Sequence, residues 1–170
     1  DSHFFPLLPD LSRVFDSHCK SWPGAVQWEH MGKGSRCPKE EIRVKVLLIN
    51  GSPHKEGCTY TALSEVAAQL QKHEIEIFWI GNQPIRGCID CRSCWGKGRC
   101  VFDDDSVNQC IQKIIQADGL VVGSPVYFGG IAGGLKCLLD RVFYDAKRLF
   151  FYKPAAAVVT CRRGGAGNTF

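Results

Sequence analysis

Short apolar runs alternate along the chain with segments whose apolar residues recur at helical spacing. The stretch VKVLLIN, residues 44–50, is nearly continuous in apolar, branched residues, which is typical of a strand buried on both faces of a parallel sheet. Similar runs predict further strands at residues 74–80, 119–125 and 155–161. Apolar spacing of three and four predicts helices over residues 59–73, from near Ser106, and around residues 135–143. The alternation predicts a three-layer α/β fold with right-handed crossovers.

Residues 1–43 differ from the rest of the chain because they show no sustained period of strand or helix. They mix prolines with scattered tryptophan, histidine and cysteine residues. We interpret them as an N-terminal extension that is poorly ordered or non-native, with Met31 as a candidate start, since chain termini are often loosely packed. The alternative is a packing arm or a second binding surface. The folded domain is then expected to span residues 44–170.

The composition is that of one ordinary globular domain. The chain has 170 residues, of which 45% are hydrophobic and 22% are charged, which is enough apolar material for a core. Its net charge of +4 is too small and scattered to predict a nucleic-acid partner. No apolar run approaches the roughly 20 residues of a membrane helix, and the start DSHFFPLLPD does not resemble a secretion signal. We therefore expect a cytoplasmic protein with no membrane or nucleic-acid partner.

Three predicted strands end in loops with candidate binding residues, and ligands of α/β folds bind at this edge of the sheet. The first is GSPHKEGCT, residues 51–59, here named the GSP loop. Ser52 and Thr59 offer hydroxyl groups, and the amides at the start of the following helix can bind an anion. The loop lacks the GxxxxGK[ST] pattern of a P-loop. An ordinary strand-turn-helix junction, with Cys58 or Thr59 near the helix cap, is the alternative.

The other two loops also suit a ligand. SPVYFGG, residues 124–130 and here named the YFG loop, can present an apolar wall and open amides to a flat heteroaromatic ring. CRRGGAG, residues 161–167 and here named the RRGG loop, carries Arg162 and Arg163, which can contact ring oxygens or phosphate. The alternative for the YFG loop is core packing at a sharp turn. The alternative for the RRGG loop is that its arginines are solvated.

The cysteine segment, CIDCRSCWGKGRC at residues 88–100, has four cysteines in a predicted loop whose glycines allow the chain to wrap a small centre. Thiolate sulfur suits both iron–sulfur clusters and zinc. A zinc ribbon normally separates two CxxC pairs by about 15 to 20 residues, which is not the spacing here. An iron–sulfur cluster, free or redox-active thiols, and zinc therefore remain as alternatives, whereas disulfides are not expected in a reducing cytoplasm.

Other polar residues have simpler interpretations. The acidic run DDD, residues 103–105, precedes a predicted helix, where carboxylates cap the helix and favour its dipole; a divalent metal site is the alternative. We expect Asp140 and Arg141 to form ion pairs on a helix surface. Cys110 and Cys137 fall on predicted helices and are interpreted as small core residues.

In combination, these motifs resemble a known family. The strand ending in GSP, the GCT helix start, the cysteine segment, DDD, ADGLVVGSPVYFG, LKCLLDR and CRRGG are similar to those of the flavodoxin-like NAD(P)H-dependent FMN reductases, especially the iron–sulfur flavoprotein branch. The resemblance covers residues 44–170. It implies a flavodoxin-like parallel sheet of order 2-1-3-4-5, an FMN cofactor, NAD(P)H as electron donor, and a homodimer or homotetramer with the flavin at a subunit interface.

The resemblance also implies roles for individual residues. The FMN phosphate would contact Ser52, Cys58 and Thr59. The isoalloxazine ring would face Pro125, Val126, Tyr127, Phe128 and Gly129. The pocket would be completed by Arg162 and Gly164. The cysteine spacing matches the compact cluster motif of the branch, so a four-iron, four-sulfur cluster would be held by Cys88, Cys91, Cys94 and Cys100.

Two features depart from the family pattern. Position 58 is commonly Asn or Ser in relatives, and Cys58 is a weak side-chain donor, so phosphate binding there relies more on the backbone amide. The chain also stops at Phe170, soon after the fourth predicted strand. We therefore expect a flavodoxin-like fold that is truncated after this strand, which would leave the strand as an exposed edge.

The function implied by the resemblance is that of an FMN-dependent oxidoreductase. NAD(P)H, or reduced ferredoxin, would supply electrons through the flavin to a quinone, a free flavin, a nitro or azo compound, or the cluster. No side chain needs to act as acid or base, because the flavin carries the chemistry. The main alternative is a flavodoxin-like electron carrier or redox-responsive binding module without turnover. A zinc-stabilised regulatory domain is a third.

Overall fold

The computed structural model describes residues 43–146 and 150–170. The expected N-terminal extension lies, apart from Arg43, outside the described residues. The strands are β1 (Lys45–Asn50), β2 (Glu74–Trp79), β3 (Gly119–Tyr127), β4 (Gly130–Ile131) and β5 (Ala155–Thr160). The helices are α1 (Cys58–Gln69), α2 (Val107–Gln116), α3 (Gly133–Ala146) and α4 (Ala166–Thr169). None of the helices in these two ranges is long and apolar enough to cross a membrane.

The four long strands form a parallel sheet in the order β2-β1-β3-β5. Asn50 at the end of β1 lies opposite Trp79 of β2 and Gly123 of β3, and Pro125 of β3 lies opposite Thr160 of β5. The carboxyl ends of the strands therefore meet at one edge. This confirms the α/β class, and the order agrees with the first four positions of the expected 2-1-3-4-5 arrangement.

Helices cover both faces of the sheet because β1 is apolar on both sides. Leu48 belongs to a buried cluster with Leu63 of α1, while Ile49 belongs to the opposite cluster with Ile111 of α2 and Leu138 of α3. All five of these side chains are completely buried. Full burial of each such side chain contributes about 1.5–3 kcal/mol of hydrophobic free energy. The nearly continuous apolar run of β1 is thus explained by a helix layer on each side.

The structure corrects the expectation that residues 124–130 form a loop. β3 continues to Tyr127 and pairs with the short antiparallel strand β4, so that Val126 lies opposite Ile131. The two residues between the strands, Phe128 and Gly129, have φ of 50° and 80°. Positive φ at both positions is what a tight two-residue hairpin turn requires. The YFG loop is therefore a hairpin, which projects beyond the parallel sheet.

Helix α1 is shorter than predicted, since it ends at Gln69 rather than near residue 73. The Leu70 amide donates to the Ala67 carbonyl, and the His73 amide donates to the Leu70 carbonyl, at 3.0 and 2.9 Å. These two tight turns replace the last predicted helical turn and direct the chain into β2. The last apolar residue at helical spacing is Leu70, and no glycine or proline follows it before β2, which is why the sequence did not reveal the earlier end.

Gly123 of β3 is a position where a side chain does not fit. A Cβ atom there would lie 2.8 Å from Leu63 Cδ1 and 2.9 Å from Thr59 Cγ2. We expect Gly123→Ala to lower the free energy of unfolding by about 1–3 kcal/mol, because α1 must move away from the sheet. The control is Gly134→Ala in α3, where a Cβ would have no described atom within 4 Å apart from its chain neighbours and the nearby backbone of its own helix. This change is expected to raise stability by up to about 1 kcal/mol. Urea denaturation measures both variants, and equal losses would contradict the packing argument.

Candidate functional site

The GSP, YFG and RRGG loops meet at the carboxyl edge of the sheet. The Gly51 amide donates to the Gly123 carbonyl at 2.9 Å, and the hydroxyl groups of Thr59 and Thr160 share a hydrogen bond of 2.9 Å. A Cβ on Gly165 would lie only 3.0 Å from Val126 Cγ1, so the RRGG loop packs closely on the hairpin. Parallel strand order brings together three segments that are far apart in the sequence.

The GSP loop is held by side chains at the ends of β1 and β2. Buried Asn50 donates from Nδ2 to the Lys55 carbonyl at 3.0 Å and accepts from the Ser52 amide at 3.1 Å. The Ser52 hydroxyl accepts from the His54 amide at 3.1 Å. Trp79 Nε1 donates to the Ser52 carbonyl at 2.8 Å. The sequence analysis did not identify Asn50 or Trp79. The only signal was their position at the ends of predicted strands.

The start of α1 leaves backbone donors available. Gly57 is the N-cap, in an extended conformation, and no side chain among the described residues caps the helix there. Cys58, the first helical residue, is exposed, whereas Thr59 is buried and its hydroxyl bonds with Thr160. Orphan amides at a helix N-terminus attract negative charge. The Cys58 end of α1 thus fits a phosphate group, with the backbone rather than the side chains as the main donor.

The YFG hairpin presents aromatic surface near this helix start. Ser124 fixes its base, since Ser124 Oγ donates to the Pro125 carbonyl at 2.8 Å and accepts from the Ala132 amide at 3.0 Å. Tyr127 is 48% exposed and Phe128 is fully exposed at the tip. Exposed aromatic groups clustered at one point mark a binding surface. Tyr127 and Phe128 therefore offer exposed aromatic surface to a ligand at this edge.

The remaining predicted residues lie around the same edge. Pro125 and Val126 are half-buried at the base of the hairpin, and Gly129 is exposed in its turn. Arg162 and Gly164 are exposed in the RRGG loop. The loop turns at Gly165, whose φ of 90° lies in the left-handed region that favours glycine. The structure thus brings the segments of all the predicted flavin residues to one edge.

The cysteine segment lies between β2 and α2 and lines a pocket. Cys94 and Cys100 are buried, while Cys88 and Cys91 are exposed. All four line one pocket, together with Ile89, Arg92, Phe102, Arg141 and Tyr144. Within residues 43–146 and 150–170, no three acidic, histidine or cysteine side chains are arranged around a single metal-ion position. The donors thus share a pocket without converging on one point.

Hydrogen bonds around Cys91 favour the thiolate form of this one thiol. Asp90 and Arg92, on either side of Cys91, have φ of 52° and 56°, a strained conformation that is concentrated at functional sites. Hydrogen bonds from Ser93, first from its backbone amide and then from its hydroxyl, lower the pKa of the Cys91 thiol. A hydrogen bond from Tyr144, followed by one from Arg92, lowers the pKa of Asp90. A lowered thiol pKa makes a better metal ligand and a better nucleophile.

The two cysteines interpreted as core residues differ from the pocket cysteines. Cys110 of α2 is completely buried, and burial raises the pKa of its thiol to about 12. It is therefore an inert core residue, as the sequence predicted. Cys137 of α3 is only half-buried. Neither lines the pocket of the cysteine segment.

The acidic run before α2 forms ion pairs as well as caps. The Asp105 carboxylate accepts from the Val107 amide at 3.2 Å, which satisfies a donor at the start of α2. Asp103 pairs with Arg99, and Asp104 pairs with Arg86, in both cases on the exposed surface. These contacts agree with the interpretation of the acidic run as a helix-capping and ion-pairing segment.

The expected surface position of Arg141 is wrong. Arg141 is 2% exposed and pairs with Asp105, whereas Asp140 does form an exposed pair with Lys136. Charge alone suggested a solvated residue. The signal that was missed is the spacing, since position 141 falls between Leu138 and Val142 on the apolar side of α3. The sequence therefore indicated that Arg141 is buried, although it did not identify Asp105 as its partner.

Comparison with known proteins agrees with this geometry. Residues 44–169 match the NADPH-dependent FMN reductase family. An iron–sulfur flavoprotein of Methanosarcina thermophila is 33% identical over 133 residues, which cover 74% of this chain and 69% of the relative. An iron–sulfur flavoprotein of Methanocaldococcus jannaschii is 39% identical over 100 residues, 58% of this chain and 51% of the relative. The chain spans about half the length of several curated relatives that it matches.

Solved structures show the same fold. The complex of RosB with 8-demethyl-8-formylriboflavin-5'-phosphate has a TM-score of 0.59 at 18% identity, over 74% of this chain and 55% of that one. An NAD(P)H:quinone oxidoreductase from Methanothermobacter marburgensis has a TM-score of 0.51 at 18% identity. The match covers 71% of this chain and 65% of that one. The chain therefore belongs to the NADPH-dependent FMN reductase family, in its iron–sulfur flavoprotein branch. The resemblance found in the sequence is confirmed.

Proposed function

We propose that this protein is an FMN-dependent oxidoreductase that transfers electrons from NAD(P)H to a small acceptor. The observation that carries this proposal is the meeting of three loops at the carboxyl edge of the sheet. The start of α1, which has no side-chain cap, and the exposed aromatic hairpin both lie at this edge. An anionic group and a flat ring in one ligand match these two features. Family membership and the names of the relatives support the same ligand and donor.

Each loop has its own task in this proposal. The amides of Cys58 and Thr59 bind the FMN phosphate, and Ser52 shapes the loop beside them. The ring lies against residues 125–129 of the hairpin, and Arg162 and Gly164 close the pocket from the RRGG loop. Bound FMN would supply the redox chemistry, accepting electrons in pairs and releasing them in pairs or singly. The protein residues bind and orient the cofactor and exclude water.

The second part of the proposal is that Cys88, Cys91, Cys94 and Cys100 hold a four-iron, four-sulfur cluster. The four thiols line one pocket, and the lowered pKa of Cys91 favours ligation. A single zinc ion needs four ligands within about 2.3 Å of one centre. A cluster carries its cysteines on separate iron atoms and so suits thiols spread around a pocket. The names of the relatives support the cluster over free thiols.

The proposal extends to assembly and partners. Phe128 is fully exposed at the hairpin tip, and burial against a second subunit would remove this apolar surface from water. We therefore propose a homodimer or homotetramer with the flavin near the subunit interface. Quinones or free flavins are the proposed acceptors, reduced ferredoxin is an alternative donor, and the cytoplasm is the proposed location.

Steady-state turnover separates an enzyme from an electron carrier. We expect the full chain loaded with FMN to oxidise many equivalents of NADH or NADPH when menadione is present, followed as loss of nicotinamide absorbance. Free FMN at the same concentration is the control. A carrier has no site for hydride transfer from NAD(P)H, so the nicotinamide absorbance would fall no faster than in the free-FMN control. That result would contradict the enzymatic proposal while leaving flavin binding intact.

A further inference from the structure

Arg141 of α3 is a buried charge that the flavin site does not use. Its side chain is 1% exposed, and its guanidinium donates hydrogen bonds to four different residues. Nε donates to Cys100 Sγ at 3.3 Å, Nη2 to the Phe102 carbonyl at 3.1 Å, and Nη1 to the Arg86 carbonyl at 3.1 Å and the Asp105 carboxylate. Nε and both terminal nitrogens of the guanidinium are thus engaged.

The acceptors of Arg141 lie at both ends of the cysteine segment. Arg86 precedes the first cysteine by two positions, Cys100 is the last cysteine, and Phe102 and Asp105 follow it. One guanidinium therefore ties the entry and the exit of the segment to α3. Joining the ends of a loop removes much of its conformational freedom. The residues between the ends, including the other three cysteines, are confined to the region around one pocket.

Stability alone is a weak reason for such an arrangement. A buried ion pair loses most of its Coulombic gain to desolvation, and an apolar side chain often serves as well. An apolar residue, however, would leave the carbonyls of Arg86 and Phe102 without this donor. Lysine has a single ammonium group and cannot reproduce the planar set of donors. These contacts therefore require the planar geometry of the guanidinium donors, and a positive charge alone does not satisfy them.

We propose that Arg141 is a positioning residue for the cysteine centre, which fixes Cys100 Sγ toward the pocket and holds the two ends of the segment together. The identity of the bound centre rests on the proposed function, whereas the positioning of Cys100 does not. A donor to a ligand atom orients that atom and tunes the centre, as partners outside the ligand set commonly do.

Thiol labelling of the reduced, metal-free full chain tests the positioning directly. We expect Arg141→Lys to raise the labelling rate of Cys100 by about tenfold or more, as the loss of hydrogen bonds to a charged group permits local opening. Cys110, buried in α2, reports general unfolding and should remain unlabelled. Peptide mass spectrometry separates the two sites. The matched control, Lys136→Met, removes an exposed cation from the same helix and should change neither rate.

Reconstitution with iron and sulfide gives a second readout. We expect the Arg141→Lys protein to lose iron to a chelator about 10- to 100-fold faster than the parent. Asp105→Asn is a milder variant that keeps Arg141 and its bond to Cys100. The labelling rate of Cys100 should therefore rise less than in Arg141→Lys, and Cys110 should again remain unlabelled.

Two results would overturn the inference. The first is an unchanged labelling rate of Cys100 in Arg141→Lys. The second is a parallel rise in the labelling rates of Cys100 and Cys110 in both variants, which would indicate a merely structural role. If the parent chain takes up no iron, the cluster proposal fails, while the labelling rates still decide the role of Arg141.

Discussion

Replacing Cys94 with serine is expected to remove the iron from this protein and to leave its flavin in place. Cys94 is one of the two buried cysteines of the pocket, where a hydroxyl group is a poor substitute for thiolate sulfur. We expect less than about a tenth of the parent iron content, because changes around metal sites commonly lower metal affinity by about 10- to 100-fold. FMN should remain, because the described contacts that hold its loops involve Asn50, Trp79, Ser124 and Thr160 and no residue of the cysteine segment.

The control for this variant is Cys137→Ser. Cys137 is half-buried on α3 and does not line the pocket, so its replacement should leave both iron and flavin at parent levels. Iron and acid-labile sulfide analysis, with flavin released and quantified from the same sample, measures all three proteins. Full iron content in Cys94→Ser would show that Cys94 is not a ligand, and simultaneous loss of flavin would indicate general damage to the fold.

Replacing Cys58 with aspartate is expected to weaken FMN binding while stabilising the flavin-free protein. Cys58 is the first residue of α1 and is exposed, and the N-cap Gly57 supplies no side chain of its own. A carboxylate at this position repels a phosphate by about 1–4 kcal/mol per pair of unit charges at 4 Å. The dissociation constant should therefore rise about 10- to 100-fold. The same carboxylate favours the helix dipole by about 0.3–1 kcal/mol, so the flavin-free protein should melt slightly higher.

The opposite signs of the two effects make this prediction specific. Cys58→Ser is the matched control, since a neutral hydroxyl group should preserve flavin affinity and can add a hydrogen bond to phosphate. Flavin fluorescence titration gives the affinity, and thermal melting of the flavin-free proteins gives the stability. Unchanged affinity in Cys58→Asp would place the phosphate elsewhere. Lower stability together with lower affinity would mean that the loop itself had been disturbed.

The main architecture could be predicted because it depends on the apolar pattern. β1 is buried by helices on both faces, so its sequence is continuously apolar, and the strand and helix signals around it follow in order. The YFG hairpin was missed because it consists of the end of β3 and the two-residue strand β4, which extend beyond the parallel sheet. Its turn requires positive φ at Phe128, a conformation that no residue type signals well outside glycine and asparagine.

The site was predictable in its segments but not in its supporting contacts. Parallel strand order placed the GSP, YFG and RRGG loops together, and spacing within one segment grouped the four cysteines. Asn50 bonds within its own loop, to Ser52 and Lys55. Trp79 and Arg141 act instead through partners distant in sequence, such as Arg141 with Arg86 and Cys100. Such pairings depend on tertiary packing, which a single sequence does not encode in any local pattern.

The most direct test of the central claim is an absorption spectrum of the full chain purified without oxygen, with flavin, iron and acid-labile sulfide measured on the same sample. The account predicts flavin bands above a broad shoulder that bleaches on reduction. It also predicts about one FMN, four iron atoms and four sulfides per chain, as one flavin site and one four-iron cluster require. A folded protein that remains colourless when FMN, iron and sulfide are supplied would contradict it.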